Sequence, residues 1–113
     1  MSERLCRIGD IPDPGAKGFA VRSGQRVVDV FVVRAHGNCY GYINTCPHIG
    51  TPLDFLPDRF LTRDGREILC STHGARFELR TGFCVAGPCR GRSLSHVTVR
   101  VTDGWVEIEV DRK

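Results

Sequence analysis

The sequence predicts an all-β fold, an antiparallel sandwich or barrel of about seven short strands. Three observations carry this. Thirteen glycines and six prolines break the chain so often that no stretch free of both exceeds 12 residues. The two longest such stretches are 25–36, dense in valine, and 92–103, which carries valine and threonine, whose branched side chains suit a pleated strand. Apolar residues nowhere recur at the spacing that a helix of about ten residues requires.

The strands follow in order. Val27-Val28-Asp29-Val30-Phe31-Val32-Val33 is the first. Ala35-His36-Gly37-Asn38 turns it into a second, Cys39-Tyr40-Gly41-Tyr42-Ile43. Arg63-Asp64-Gly65-Arg66 separates Phe60-Leu61-Thr62 from Glu67-Ile68-Leu69. Arg76-Phe77-Glu78-Leu79 runs into a turn at Arg80-Thr81-Gly82. Val97-Thr98-Val99-Arg100-Val101 and Trp105-Val106-Glu107-Ile108-Glu109-Val110 alternate apolar and polar residues, and Thr102-Asp103-Gly104 supplies a hairpin turn between them. Phe31, Phe77 and Trp105 are expected in the core.

Length and charge bound the rest. A chain of 113 residues fits a single domain, residues 1–113. A net charge of +3 is too mild to argue nucleic-acid binding, and no run of apolar residues has the length of a membrane span. Six cysteines could form disulfides in an oxidising compartment, but no apolar leader follows Met1-Ser2-Glu3-Arg4. A cytoplasmic address is therefore expected, where clustered Cys and His bind metal more often than they form structural disulfides.

Two segments carry such clusters. Cys46-Pro47-His48-Ile49-Gly50-Thr51-Pro52 follows the strand that ends near Asn44, and Cys70-Ser71-Thr72-His73-Gly74-Ala75 follows the strand that ends at Leu69. Each offers one thiolate and one imidazole, spaced closely enough to reach a common centre. Two sulfurs and two nitrogens suit either a tetrahedral zinc or a [2Fe–2S] cluster with mixed ligation.

The paired Cys-x-His and Cys-x-x-His pattern resembles the Rieske iron–sulfur family, and the resemblance extends over nearly the whole chain. Gly87-Pro88 is similar to the family's proline loop, which covers the cluster from a third side. The segment Gly74-Ala75-Arg76-Phe77-Glu78-Leu79 with Thr81-Gly82 is similar to the strand and turn after its second ligand loop. The resemblance implies a Rieske-type antiparallel β sandwich or barrel with a small cluster-binding subdomain, near residues 44–90, made of two ligand loops. It implies one [2Fe–2S] cluster, with Cys46 and Cys70 on one iron and His48 and His73 on the other. The 21 residues between His48 and Cys70 are a few more than small Rieske ferredoxins carry; the excess falls on the hairpin around 58–67.

High-potential members of the family add a disulfide-forming cysteine to each ligand loop and a serine after the second loop's His-Gly. Here Ser71 and the residues near Thr51 supply no cysteine, and Ala75 follows Gly74. Fewer hydrogen bonds to the cluster sulfurs imply a low-potential, ferredoxin-type member. The expected function is a one-electron carrier between a reductase and a terminal oxygenase or similar acceptor. A ring-hydroxylating oxygenase is disfavoured, because only His36 and His96 remain for a second iron site. A small Rieske-like subunit or regulator of a larger complex, and a zinc-binding interaction module, are the alternatives.

The residues left over have plainer expectations. Cys84 and Cys89 read either as a redox pair across Gly87-Pro88 or as small buried hydrophobes or free thiols, the second being favoured; Cys6 and Cys39 read as such fillers or free thiols. His36 and His96 are expected at the surface or hydrogen-bonded in structural roles. A docking ring for protein partners is expected from Ile49, Gly50, Thr51, Gly74, Ala75, Gly87 and Pro88, with Arg90 and Arg92 at its rim.

Overall fold

The computed structural model describes residues 2–23, 25–45, 53–54, 59–70, 74–89 and 91–109. Among these residues, ten strands form three antiparallel sheets: β1 (Ser2–Arg7), β2 (Gly15–Ser23), β3 (Arg26–Ala35), β4 (Asn38–Ile43), β5 (Glu67–Leu69), β6 (Arg76–Glu78), β7 (Cys84–Ala86), β8 (His96–Val97), β9 (Val99–Thr102) and β10 (Trp105–Glu109). Their orders are β1-β10-β9, β2-β3-β4-β8 and β5-β6-β7. Among the described residues the helical content is one 3₁₀ turn, Ile8–Asp10, and no helix is long and apolar enough to cross a membrane.

β3 organises the molecule. Val30, Phe31, Val32 and Val33 are all buried, because successive side chains point to opposite faces and both faces are covered. Val30 packs with Val21 and Ile108, and Val32 with Cys6, Ile11 and Val106. These residues form the core between the first two sheets, which make up a frame. Phe31, Val33 and Ala35 face the other way, into a core shared with Phe60, Ile68, Phe77 and Leu79. That second core joins the frame to a lobe built on β5, β6 and β7. Phe31 stacks on Phe60 with ring centroids 4.3 Å apart.

The two hairpin turns read from the sequence are present. His36 and Gly37 have φ of 54° and 79°, and Asp103 and Gly104 have 52° and 80°, the paired left-handed residues of a tight two-residue connection. Ala35 pairs with Asn38 across the first turn and Thr102 with Trp105 across the second.

Elsewhere the sequence reading needs correction. β1 and β2 were not expected: Ser2–Arg7 is mostly polar and Gly15–Ser23 carries two glycines, so neither shows an alternating apolar face, yet β1 pairs along the alternating β10 and β2 along the continuous apolar run of β3. The short β7 was missed for the same reason. The run 97–101 is divided at Thr98 between two sheets. Phe60–Thr62 contributes one isolated bridge, Leu61 to Ile68, in place of a strand. Trp105 is half-buried, not in the core; Arg4 and Arg7 each lie 5.1 Å from its ring.

Candidate iron–sulfur site

The lobe presents three connections at one end of its sheet, and each is closed at its base by specific hydrogen bonds. The first leaves β4. Asn44 donates its backbone N–H to Asp29 O (2.8 Å), its side-chain Oδ1 accepts from Leu53 N (2.8 Å), and its Nδ2 donates to Asp54 Oδ1 (3.0 Å). One side chain thus ties the two ends of the segment that carries Cys46 and His48. The sequence reading took Asn44 only as a strand end. Its signal was the ability of asparagine to bond nearby backbone, which does not by itself reveal a partner nine residues away.

The second connection leaves β5. Cys70 N donates to Ala75 O and Gly74 N donates to Cys70 O, both at 2.8 Å. Gly74 has φ of 74°, a conformation glycine adopts without penalty. This tight loop leaves the Cys70 side chain fully buried. The third connection follows β7. Gly87 has φ of 98°, and a Cβ there would lie 2.7 Å from Ala75 Cα, so only glycine permits the turn to press on the second loop. The turn's base is closed by Cys84 N donating to Arg92 O (2.8 Å) and Arg92 N donating to Cys89 O (3.0 Å).

Of the four expected ligands, Cys46, His48 and His73 lie outside the described residues, and Cys70 lies at the mouth of the second loop. Among the described residues no group of three or more Cys, His, Asp or Glu is poised to hold a metal ion. In the docking ring, Ile49, Gly50 and Thr51 are likewise outside the described residues. Gly74, Gly87 and Pro88 are exposed. Ala75 is not part of any exposed ring: it is fully buried under Gly87. Arg92 is exposed and Arg90 lies outside the described residues.

The lobe is moored by Tyr42. This fully buried residue donates its hydroxyl to Leu79 O at 2.6 Å. Burial pushes the phenol well above its ordinary range, so Tyr42 stays a neutral donor. A Cβ on Gly82 would meet the Tyr42 ring at 2.7 Å. His96 is exposed, as expected, with Nε2 2.7 Å from Thr81 O and its ring 5.0 Å from that of Tyr42. His36 is exposed in its turn, its backbone N–H donating to Asp13. Burial pushes the Cys6 and Cys39 thiols up, in keeping with small apolar fillers.

The family model for the Rieske [2Fe–2S] domain matches residues 3–103. The chain belongs to the Rieske [2Fe–2S] family. Membership selects between the two centres that the donor set suits: the Rieske centre is a [2Fe–2S] cluster, not zinc. No curated protein matches the chain in sequence. Among solved structures it resembles the ferredoxin of Sphingomonas yanoikuyae B1, with 28% identity, 98% of this chain and 100% of that chain covered, and a TM-score of 0.73. A chain of a complex between reduced oxygenase and oxidised ferredoxin in carbazole 1,9a-dioxygenase matches with 25% identity, 99% and 95% coverage and a TM-score of 0.77. The ferredoxin of carbazole 1,9a-dioxygenase from Nocardioides aromaticivorans IC177 shares the fold, with 24% identity, 98% and 99% coverage and a TM-score of 0.77.

The described residues fit the Rieske cluster. A fully buried thiol at the mouth of a loop closed by a left-handed glycine, beside a turn whose glycine leaves no room for a side chain against Ala75, supplies one of the expected donors in a compact setting.

Proposed function

We propose that this chain is a Rieske-type ferredoxin that accepts one electron from a reductase and delivers it to a terminal oxygenase. The observation that carries the reading is the full-length match to a ferredoxin, 98% of this chain against 100% of that one. A terminal oxygenase from Novosphingobium, by contrast, is covered over only 30% of its length, at 18% identity.

Cys46 and Cys70 hold one iron and His48 and His73 the other. The bound cluster supplies one-electron chemistry at a potential that this ligation sets above that of an all-thiolate cluster, roughly −150 to +300 mV across Rieske centres. The protein's part is to hold the loops. Asn44 closes the base of the first, the Cys70–Ala75 bonds close the second, and Gly87 lets the third turn seal one side. Ala75 offers no hydroxyl, which supports a place in the low-potential part of that range. The exposed Gly74, Gly87 and Pro88 give a partner a small apolar surface suited to a weak, transient interface under about 1,200 Å². The reading takes residues 1–113 as one domain with the cluster-binding part near 44–90. A reducing compartment such as the cytoplasm suits its thiolate ligands.

The test is direct. Anaerobically prepared protein should contain two irons and two acid-labile sulfides per chain. It should be required for electron flow from a flavin reductase to a Rieske-type terminal oxygenase. One zinc with no sulfide, or undiminished oxygenase turnover when the chain is omitted, would refute the reading.

A further inference from the structure

Two cysteines that the ligand set leaves unused face each other. Cys84, the first residue of β7, is fully buried, and Cys89, just past Gly87-Pro88, is 2% exposed. Their Sγ atoms lie 3.3 Å apart, and Cys84 Sγ also donates to Ala86 O at 3.2 Å. A disulfide needs about 2.0 Å between sulfurs, a further approach of little more than 1 Å. That movement would fall on the intervening turn, where Gly87 and Pro88 are exposed. It is also the turn that presses on Ala75 beside the second ligand loop.

We propose that Cys84 and Cys89 form a reversible dithiol–disulfide couple that locks the 85–88 turn over the second ligand loop. The lock's effect on the cluster rests on the assignment of Cys70 and His73 as ligands; the bond itself does not.

The oxidant is a small organic disulfide, and the chemistry is thiol–disulfide exchange. The thiolate of Cys89, the less buried of the two, attacks one sulfur of the reagent. The reagent's S–S bond breaks, one thiol leaves, and a mixed disulfide remains on Cys89. The Cys84 thiolate then attacks the Cys89 sulfur, and the second reagent thiol leaves. The pair has lost two electrons and two protons, and the reagent has gained both. No electron need come from the cluster. A short ring closed next to a functional loop matches the usual role of disulfides in reducing compartments, which is transient and redox-sensing.

The chain carries its own assay. Trypsin cuts after Arg80 and Arg90 and releases residues 81–90, which contain Cys84 and Cys89 and no other cysteine. The holoprotein would be equilibrated anaerobically in bis(2-hydroxyethyl) disulfide and 2-mercaptoethanol at graded ratios, blocked with N-ethylmaleimide, unfolded and digested. As the disulfide fraction rises, the peptide should pass from the doubly alkylated form to an internally linked form that carries no maleimide and is two hydrogens lighter than the free dithiol peptide. The cluster's visible absorbance should persist, and excess thiol should reverse the change. A peptide that stays doubly alkylated at every ratio, or becomes linked only as the cluster bleaches, would overturn the proposal. The wild-type measurement needs no variant to fold.

The lock has a separate readout. The linked holoprotein should lose its visible absorbance to an iron chelator several-fold more slowly than the reduced form, and Cys84→Ser should abolish the difference. Equal bleaching rates with the bond formed would overturn the lock. A preparation without any cluster would refute the ferredoxin reading while leaving the peptide result intact.

Discussion

The frame and the lobe use the same antiparallel pairing but are held together by different means. In the frame, β2 and β3 stay in register from Gly15 opposite Arg34 to Ser23 opposite Arg26, a long ladder with apolar residues buried on both sides of β3. In the lobe, β5, β6 and β7 are three residues each, and the β6–β7 pairing shifts register between Arg76 and Phe77. What orders the lobe is a set of loop-closing hydrogen bonds, glycine turns and two side chains reaching from the frame, Phe31 and Tyr42. Long ladders carry stability, and short ones leave the chain free to turn where donors are needed. Local stability should follow the same division, with the frame opening last.

The largest effect expected from this contrast is at Cys70. Cys70→Ala should abolish the cluster, read as loss of visible absorbance, iron and sulfide, while the far-ultraviolet β signal of the frame persists. Collapse of the whole chain in that variant would show that the frame depends on the lobe. Phe31→Ala comes next. It removes the ring stacked on Phe60 and leaves a cavity between the two regions, a change that costs about 3–5 kcal/mol in packed cores. Thermal unfolding should shift down accordingly, and cluster loss should precede unfolding of the frame.

Tyr42→Phe is milder. It keeps the ring but leaves the buried Leu79 carbonyl without its donor, a loss of about 1–3 kcal/mol by denaturant titration. A neutral result would mean that water replaces the phenol and that packing alone moors the lobe.

The smallest effect is at the far hairpin of the lobe. The Thr62 hydroxyl and the Arg66 N–H donate to the Asp64 carboxylate (2.6 and 3.0 Å) and hold its pKa below the ordinary value of 3.8. A lowered folded pKa means that the stabilisation is complete above about pH 4 and is lost as pH falls through the folded value. The group is exposed, so the change should appear only as faster amide exchange at 62–66 in acid. Asp64→Asn should show that exchange without the acid step.

The sequence was most legible where chemistry imposes its own spacing. The family was legible in the spacing of the two Cys/His segments, and the tight turns at 36–37 and 103–104 and the valine run of β3 were readable. Alternation failed for β1 and β2, because their pairing follows from neighbours rather than from an apolar face of their own. It placed Trp105 too deep, because alternation marks the side of a strand and not whether arginines cover it. Asn44 escaped for another reason: its bonds join the two ends of a loop, which no local pattern encodes; Cys84 and Cys89 were read as a possible pair, but the sequence favoured plain buried fillers over the contact at 3.3 Å. Ala75 was read as exposed because it ends the second Cys/His segment, whereas the close approach of Gly87 covers it.

Burial of β3 on both faces has a consequence for register. A strand with one polar face carries an error signal, since a slip by one residue puts charge into the core. In the middle of β3 such a slip would exchange Val30 and Val32 for Phe31 and Val33, apolar for apolar, so that within this run only Arg34 at its end, moved to the place of Val33 or Ala35, would object. The alignment must be encoded elsewhere: in the volume difference between valine and phenylalanine, and in the His36-Gly37 turn, whose two left-handed residues fit one hairpin alignment. That turn is the hairpin's address label, although its two residues lie on the surface.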